Sequence, residues 1–103
     1  MLKHNTYFDG KVQSIGFERN ARRATVGVIE PLTNSGKSGE SDRYHFGTDS
    51  PERMSVLSGE LRVNIAGRGW MTYPAGSTFE IPGKSGFDVE TIGGPAAYLC
   101  EFL

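Results

Sequence analysis

The segment GRGWMTYPAGSTFEIPGKSGF, residues 67–87, places apolar side chains at alternate positions around Phe79 and interrupts them with turn residues. Alternation with a period of two is typical of a β-strand that buries one face. Pro74 and Pro82 lack an amide hydrogen, so they belong at strand ends or in turns, and Gly76 allows the backbone to reverse before Phe79. The segment therefore predicts short strands joined by tight turns.

The same pattern continues along the rest of the chain. Fourteen glycines and five prolines are scattered without a period, and no window carries the apolar stripe of a long helix. We expect an all-β fold of about eight to ten strands, closed as a barrel or jelly roll because closure removes exposed edges. Gly59 indicates a hairpin corner. The other predicted strands are KVQSIGFE (11–18), RATVGVIE (23–30), RMSVLS (53–58), ELRVNI (60–65), STFEIP (77–82), GFDVET (86–91) and AAYLCEFL (96–103).

The length of the chain predicts its domain organisation. With 103 residues the chain can bury one modest core, so residues 1–103 are expected to form a single domain. PLTNSGKSGESDR, residues 31–43, contains one large apolar residue and is expected to be a flexible surface loop between two strands. A deep pocket must then lie inside the core or between subunits.

Charge and composition narrow the choice of partners. Eleven basic and twelve acidic residues nearly cancel, which predicts no nucleic-acid partner and no polybasic membrane anchor. The apolar stretches are far shorter than a signal sequence or a membrane span, so no membrane association is expected. Cys100 is the single cysteine, which fits a reducing, cytoplasmic location. The expected partners are small molecules or a second copy of the chain.

The period of two also predicts which side chains share a face. Glu52 points to the same side of its strand as Met54 and Val56, because successive residues alternate. Tyr98 and Cys100 share a face of the last strand in the same way. An acid among apolar neighbours is a candidate for a pocket residue.

Two motifs resemble those of the cupin superfamily, which are small β-barrels with an internal ligand site. Glu52 is followed after six residues by Gly59, and residues 69–79 run from a glycine through Pro-Ala-Gly to Phe79. The resemblance implies metal ligands at these motifs, including a histidine at the position of Phe79. Only His45 stands near a suitable offset before Glu52. A metal site needs several N, O or S donors, so we expect none here.

Five segments that together cover nearly the whole chain carry a narrower resemblance. They are YFDGKVQSIGF (7–17), RATVGV (23–28), FGTDSPERMSVLSGEL (46–61), AGSTFEIPGKSGF (75–87) and YLCEFL (98–103). In these segments the chain is similar to the pyrimidine/purine nucleoside phosphorylase family of small cupin-like bacterial proteins. That resemblance implies a homodimeric cupin that cleaves purine and pyrimidine nucleosides with inorganic phosphate, giving a free base and ribose 1-phosphate.

Such a reaction needs a charge-stabilising group and an anion site. A carboxylate in an apolar setting accepts hydrogen bonds from the ribose diol and stabilises positive charge at C1′, and Glu52 is the candidate. Arginine offers two parallel hydrogen bonds to phosphate oxygens. Arg23 is the catalytic candidate for that role, and Lys11 is a second phosphate-binding candidate. No cofactor is expected besides inorganic phosphate as co-substrate.

The base requires a surface that tolerates different ring systems. Aromatic rings stack on any base without reading its edge, and Phe79, Phe87 and Tyr98 are the candidates for this surface. The Tyr98 hydroxyl is also placed to contact sugar or base. Thr48 and Ser85 stand next to glycines and are candidates either for donating to phosphate or for stabilising turns.

Other interpretations remain open for the same residues. Phe79 is more typical of a plain core side chain than of a stacking wall, and Cys100 is typical of a small buried apolar residue. Arg23 and Lys11 are also typical of surface charges. A cupin that binds a sugar, nucleoside or metabolite without turnover is the main alternative function. A metal-dependent enzyme using His45, Glu52 and oxygen donors is another.

Overall fold

Ten β-strands make up the regular structure of residues 3–8, 10–19, 22–31 and 43–103, which are the residues that the computed structural model describes. Among them there is no helix with the length and apolar character needed to cross a membrane. The strands are β1 (Lys3–Tyr7), β2 (Val12–Arg19), β3 (Arg22–Ile29), β4 (Tyr44–Thr48), β5 (Glu52–Ser58), β6 (Glu60–Ile65), β7 (Trp70–Pro74), β8 (Thr78–Ile81), β9 (Ser85–Thr91) and β10 (Ala96–Phe102).

The strands form two antiparallel sheets. The larger sheet has the order β1-β2-β3-β10-β5-β8, and the smaller has the order β4-β9-β6-β7. This confirms the predicted all-β fold. The described strands do not close into a barrel, because β1 of the larger sheet and β4 of the smaller sheet are not paired as strands. These two strands meet through aromatic rings, such as Tyr7 and Phe46, whose ring centroids are 6.0 Å apart. The expectation of a closed barrel is therefore wrong for these residues.

The seven strands named from the sequence are all present, and three further strands were missed. The missed strands are β1, β4 and β7, each five residues long. Gly59 is a corner, with φ at +77°, but it does not close a hairpin. Instead it carries the chain from β5 in the larger sheet to β6 in the smaller sheet.

The segment at residues 67–87 folds as its punctuation predicts. Pro74 ends β7, Pro82 follows β8, and Gly76 turns between the two strands with φ at +90°. The Gly76 amide donates to the Val56 carbonyl oxygen over 2.8 Å, which ties this turn to β5. Phe79 is buried and only 6% exposed.

The core lies between the two sheets. Its buried side chains alternate along β5, β6, β8, β9 and β10, so one face of each sheet is apolar, as the period of two requires. Residues 32–42, which include most of the predicted loop at 31–43, lie outside the described residues. The core consists of Val12, Ile29, Tyr44, Met54, Val56, Leu61, Val63, Phe79, Ile81, Phe87, Val89, Ala96, Tyr98 and Cys100.

Candidate active site

A cavity of about 250 Å³ lies between the two sheets. The larger sheet supplies its polar groups and the smaller sheet supplies aromatic rings. Its volume is close to the lower end of the range typical for small-molecule sites, roughly 300 Å³. The lining residues are Tyr7, Ser14, Thr25, Ile29, Phe46, Gly47, Glu52, Met54, Phe87, Tyr98, Cys100 and Phe102.

Strand register brings the polar lining residues together. On β10, Cys100 pairs with Met54 of β5, and Phe102 pairs with Glu52. Residues two apart on a strand point to the same face, so Glu52 and Cys100 both face the cavity, diagonally across neighbouring strands. This confirms the predicted orientation of Glu52, Met54 and Cys100 towards the interior.

Glu52 is half-buried, and its carboxyl group is hydrogen-bonded to a thiol. The Cys100 Sγ–H donates to Oε1 of Glu52, with 3.3 Å between the two atoms. Burial raises the pKa of the Glu52 carboxyl above its usual range, and the bond from Cys100 partly offsets that rise. Burial also raises the pKa of the Cys100 thiol, helped by the neighbouring Glu52 charge. The thiol therefore stays protonated.

Tyr98 lines the cavity, and its ring packs directly against the backbone of Gly27, which has no side chain. A Cβ at Gly27 would lie 2.7 Å from both Cζ and the hydroxyl oxygen of Tyr98, so only glycine leaves room for the ring. Burial raises the pKa of Tyr98 to about 12, with a smaller contribution from Cys100, while hydrogen bonding by Ser14 opposes the rise. The phenol is thus a neutral hydroxyl group facing the cavity.

Phe87 belongs to an aromatic wall on the opposite side. Its ring stacks on Phe46, with 5.6 Å between centroids and 24° between planes. Phe46 in turn makes edge contacts with Tyr7 and Phe8. The wall presents flat aromatic surface to the carboxyl group on the larger sheet.

Arg23 lies at the edge of the cavity. Its guanidinium group sits over the Phe102 ring, 5.2 Å from the centroid, and it lines an adjoining depression that shares Tyr7, Thr25 and Phe102 with the cavity. β10 separates Arg23 on β3 from Glu52 on β5, so their backbones are two strand spacings apart, about 10 Å. Arg23 is exposed at this position.

Phe79 and Lys11 are not among the residues that line this cavity. The Phe79 ring stacks on Tyr73, with 4.3 Å between centroids, and fills the core at the far end of the sandwich. Lys11 is half-buried in the turn between β1 and β2, where its carbonyl oxygen accepts the Glu30 amide over 2.8 Å. The structure therefore favours a packing role for Phe79, and it places Lys11 in a turn.

Thr48 and Ser85 form a turn contact. The Thr48 hydroxyl donates to the Pro82 carbonyl oxygen over 2.7 Å and accepts the Ser85 amide over 3.1 Å. The two residues also pair at the ends of β4 and β9. Thr48 is buried by this arrangement, so of the two interpretations left open by the sequence, the structure favours turn stabilisation.

His45 and Glu52 do not converge on one site. His45 lies on β4 with its side chain 68% exposed, and its Nδ1 is 2.8 Å from Oδ1 of Asp88. It lines a separate outer depression with Asn64 and Lys84. Within the described part of the chain, no three histidine, cysteine, aspartate or glutamate side chains cluster closely enough to hold a metal ion.

Sequence reasoning missed several residues that line the cavity. Tyr7 and Phe46 come from the short strands β1 and β4, and Ser14 and Thr25 are small polar residues without a motif. For Cys100, the alternation of β10 gave the correct face. Its contact with Glu52, 48 positions earlier in the chain, depends on the pairing of β10 with β5, which one sequence does not reveal.

The fold and the cavity define a small two-sheet β-sandwich with an internal site formed by one carboxyl group, hydroxyl groups and aromatic rings. A family model described as pyrimidine/purine nucleoside phosphorylase matches residues 2–102. The chain belongs to this family, as the resemblance of its segments predicted.

Individual relatives agree with the family assignment. A pyrimidine/purine nucleoside phosphorylase of Sorangium cellulosum is 57% identical, over 100% of both chains. One from an Anaeromyxobacter species is 54% identical, over 100% of this chain and 89% of the relative. A solved structure of a Vibrio parahaemolyticus protein of unknown function has a TM-score of 0.85 at 38% identity, over 100% of this chain and 99% of that one.

Proposed function

We propose that this protein is a broad-specificity nucleoside phosphorylase and that the cavity around Glu52 is its active site. The reaction cleaves the bond between C1′ of the ribose and the base with inorganic phosphate, and it releases a free base and α-D-ribose 1-phosphate. The observation that carries the proposal is a half-buried carboxyl group facing aromatic rings across a cavity of about 250 Å³. The family name of the relatives supports it.

Glu52 is proposed to bind the ribose. Its ionised form accepts hydrogen bonds from the 2′ and 3′ hydroxyl groups and stabilises the positive charge that develops at C1′ as the base departs. Such stabilisation is strong where water is partly excluded, and the burial that raises the Glu52 pKa reflects that exclusion. Holding both reactants in one cavity supplies much of the remaining acceleration.

Arg23 is proposed to bind phosphate at the edge of the cavity. The backbones of β3 and β5 are about 10 Å apart, with Phe102 of β10 between them, so the anion is proposed to bind on the Arg23 side of the Phe102 ring. The guanidinium group already lies over Phe102, which also lines the cavity. Lys11, Thr48 and Ser85 have no comparable position and are not part of this proposal.

Phe87 and Tyr98 are proposed to hold the base. The stacked rings of Phe87 and Phe46 offer a flat surface that binds purines and pyrimidines alike. The neutral Tyr98 hydroxyl faces the same space and is able to donate a hydrogen bond to sugar or base. Phe79 is left out because its ring stacks on Tyr73 in the core.

We also propose that the two sheets are the halves of a cupin-type jelly roll that forms a single domain and works without a metal ion. The exposed, outward position of His45 and the packing of Phe79 against Tyr73 support this, because both residues stand near positions where the cupin motifs supply ligands. Incubation with a chelator followed by assay tests it. Full activity after removal of metal is expected, and restoration of lost activity by iron, zinc or manganese would contradict it.

The outer face of the larger sheet is proposed as the surface of a homodimer. The register aligns Ile15, Val26 and Leu99 across three neighbouring strands, and Ile15 and Val28 are more than 40% exposed. A contiguous exposed apolar patch marks an interaction surface. Val28→Glu is expected to give monomers by light scattering, whereas Met71→Glu, an exposed position on β7, should leave the dimer intact.

The location that we propose is the cytoplasm. The buried, free thiol of Cys100 suits a reducing compartment.

The central experiment is incubation of the pure protein with uridine or adenosine, with and without phosphate. We expect base release that requires phosphate, together with formation of ribose 1-phosphate. Release that is independent of phosphate would indicate hydrolysis. Binding without release would favour the alternative of a non-enzymatic cupin for a nucleoside or sugar.

A further inference from the structure

The Cys100 thiol occupies a position that the proposed reaction does not explain. It is buried and donates to Oε1 of Glu52 over 3.3 Å. Among the described residues, no lysine, arginine or histidine lies within ion-pair distance of Glu52. The thiol is therefore the side chain that is hydrogen-bonded to this carboxyl group among the described residues.

We propose that Cys100 is a positioning residue, whose S–H holds Oε1 of Glu52 so that Oε2 is presented to the ribose hydroxyl groups. This inference rests on the proposed function of the cavity. One oxygen restrained by a donor fixes the plane of the carboxyl group, and the second oxygen keeps its lone pairs for the substrate. The backbone supports this geometry, because β10 and β5 are paired along their length.

The chemistry of sulfur suits this task. A thiol is a weak donor, so it orients the carboxylate without neutralising its charge, as a lysine or arginine at the same place would do. A charged donor would also lower the affinity of the carboxylate for hydroxyl groups by competing for both oxygens. The high pKa of the buried thiol keeps the proton on sulfur, so the donor is present throughout the working pH range.

Few other groups face Glu52, so a change in the pKa of its carboxyl group can be attributed to the substitution at Cys100. Tyr98 on β10 is neutral up to a pKa of about 12, and Arg23 on β3 lies beyond the Phe102 ring. Tyr7 on β1 lines the cavity, Ile81 is the neighbour on β8, and the smaller sheet contributes Phe46, Gly47 and Phe87.

The test compares variants that remove the donor with one that keeps it. Cys100→Ala and Cys100→Val lack the S–H, and Cys100→Ser replaces it with an O–H. The pKa of the Glu52 carboxyl is measured in the free protein by ¹³C NMR with labelled glutamate, and Glu52→Gln assigns the signal. We expect a higher pKa in the Ala and Val variants, and a value at or below that of the wild type in the Ser variant.

Kinetics provide the second readout. Loss of one weak hydrogen bond is expected to lower kcat by about three- to tenfold and to move the acidic limb of the pH profile to higher pH, with recovery in Cys100→Ser. Val89→Ala, a buried change in the smaller sheet outside the cavity lining, controls for general destabilisation and should leave the limb in place.

The outcomes separate the two proposals. An unchanged Glu52 pKa in the donor-free variants would show that Cys100 only fills space, and would overturn the inference. A shifted pKa in a protein without nucleoside turnover would keep the positioning role and reject the proposed function.

Discussion

The two ends of the sandwich both contain a stacked pair of aromatic rings, yet they differ in what lies beside the rings. At one end Tyr73 and Phe79 stack 4.3 Å apart and close the core. At the other, Phe46 and Phe87 stack 5.6 Å apart and line a cavity with Glu52. An inward aromatic ring therefore lines a cavity only where the facing sheet supplies polar groups and leaves space.

The largest expected effect tests the carboxyl group at the cavity end. Glu52→Gln should lower the rate of phosphorolysis by roughly 10²- to 10³-fold, the scale seen when one charge-stabilising group is removed. Its melting temperature should change little, because the amide keeps the shape of the side chain. Steady-state assays and thermal unfolding check this, with Glu80→Gln, exposed on β8, as the matched control. Equal activity in Glu52→Gln would remove this residue from the mechanism.

A pair of phenylalanine variants contrasts the two ends directly. Phe79→Ala should lower the free energy of unfolding by roughly 3–5 kcal/mol, because it leaves a void in the packed end, and it should preserve turnover per folded molecule. Phe87→Ala should raise KM for both uridine and adenosine, because it removes part of the stacking surface, worth about 1–3 kcal/mol. Chemical denaturation and kinetics measure both. If Phe79→Ala alone raised KM, the assignment of the two ends would be reversed.

Two neighbouring arginines, Arg22 and Arg23, test where the anion binds. Arg23→Ala should raise KM for phosphate about tenfold, as expected for the loss of about 1.4 kcal/mol of binding. Arg22→Ala changes the adjacent residue on β3, whose side chain points to the opposite face, and should leave KM for phosphate unchanged. Titration of phosphate at saturating nucleoside decides between them. A phosphate dependence that is unchanged in Arg23→Ala would place the anion elsewhere.

The smallest effect concerns the pH dependence of stability. Burial in the folded protein raises the pKa of the Glu52 carboxyl, so folding favours the protonated form of this group. The stability that the protonated form contributes at acidic pH is lost as the pH rises through that pKa. Glu52→Gln should therefore unfold with a slightly larger free energy than the wild type at neutral pH, and the two should converge at acidic pH. Urea unfolding across this range measures the difference. A wild type that is more stable than the variant at neutral pH would contradict the burial argument.

The sequence predicted much of the fold and the inward orientation of some of the residues that line the cavity, for identifiable reasons. Strict alternation placed Glu52, Met54 and Cys100 on the inner face, and prolines and Gly76 marked the turns. Alternation says nothing about which strands pair, so the contact between Cys100 and Glu52 was invisible. It also does not distinguish an aromatic ring in a packed core from one beside a cavity, which is why Phe79 and Phe87 were given the same role.

The sequence also did not predict that the chain passes from the larger sheet to the smaller sheet at Gly59. Gly59 was correctly marked as a corner, but a glycine permits a hairpin and a change of sheet equally well. The choice is made by contacts distant in sequence: a Cβ at Gly59 would lie 2.6 Å from the Pro95 carbonyl oxygen, so the corner is packed against the start of β10.

Gly27, which has no side chain, affects the size of the cavity. A Cβ at position 27 would lie 2.6 Å from the Gln13 carbonyl oxygen and 2.7 Å from the Tyr98 ring, so a larger residue there would both strain the pairing of β2 with β3 and push the ring towards the cavity. Gly27 does not line the cavity itself, yet it sets the cavity size through the position of Tyr98. Under the proposed function, a larger residue at position 27 would exclude bulkier bases before smaller ones.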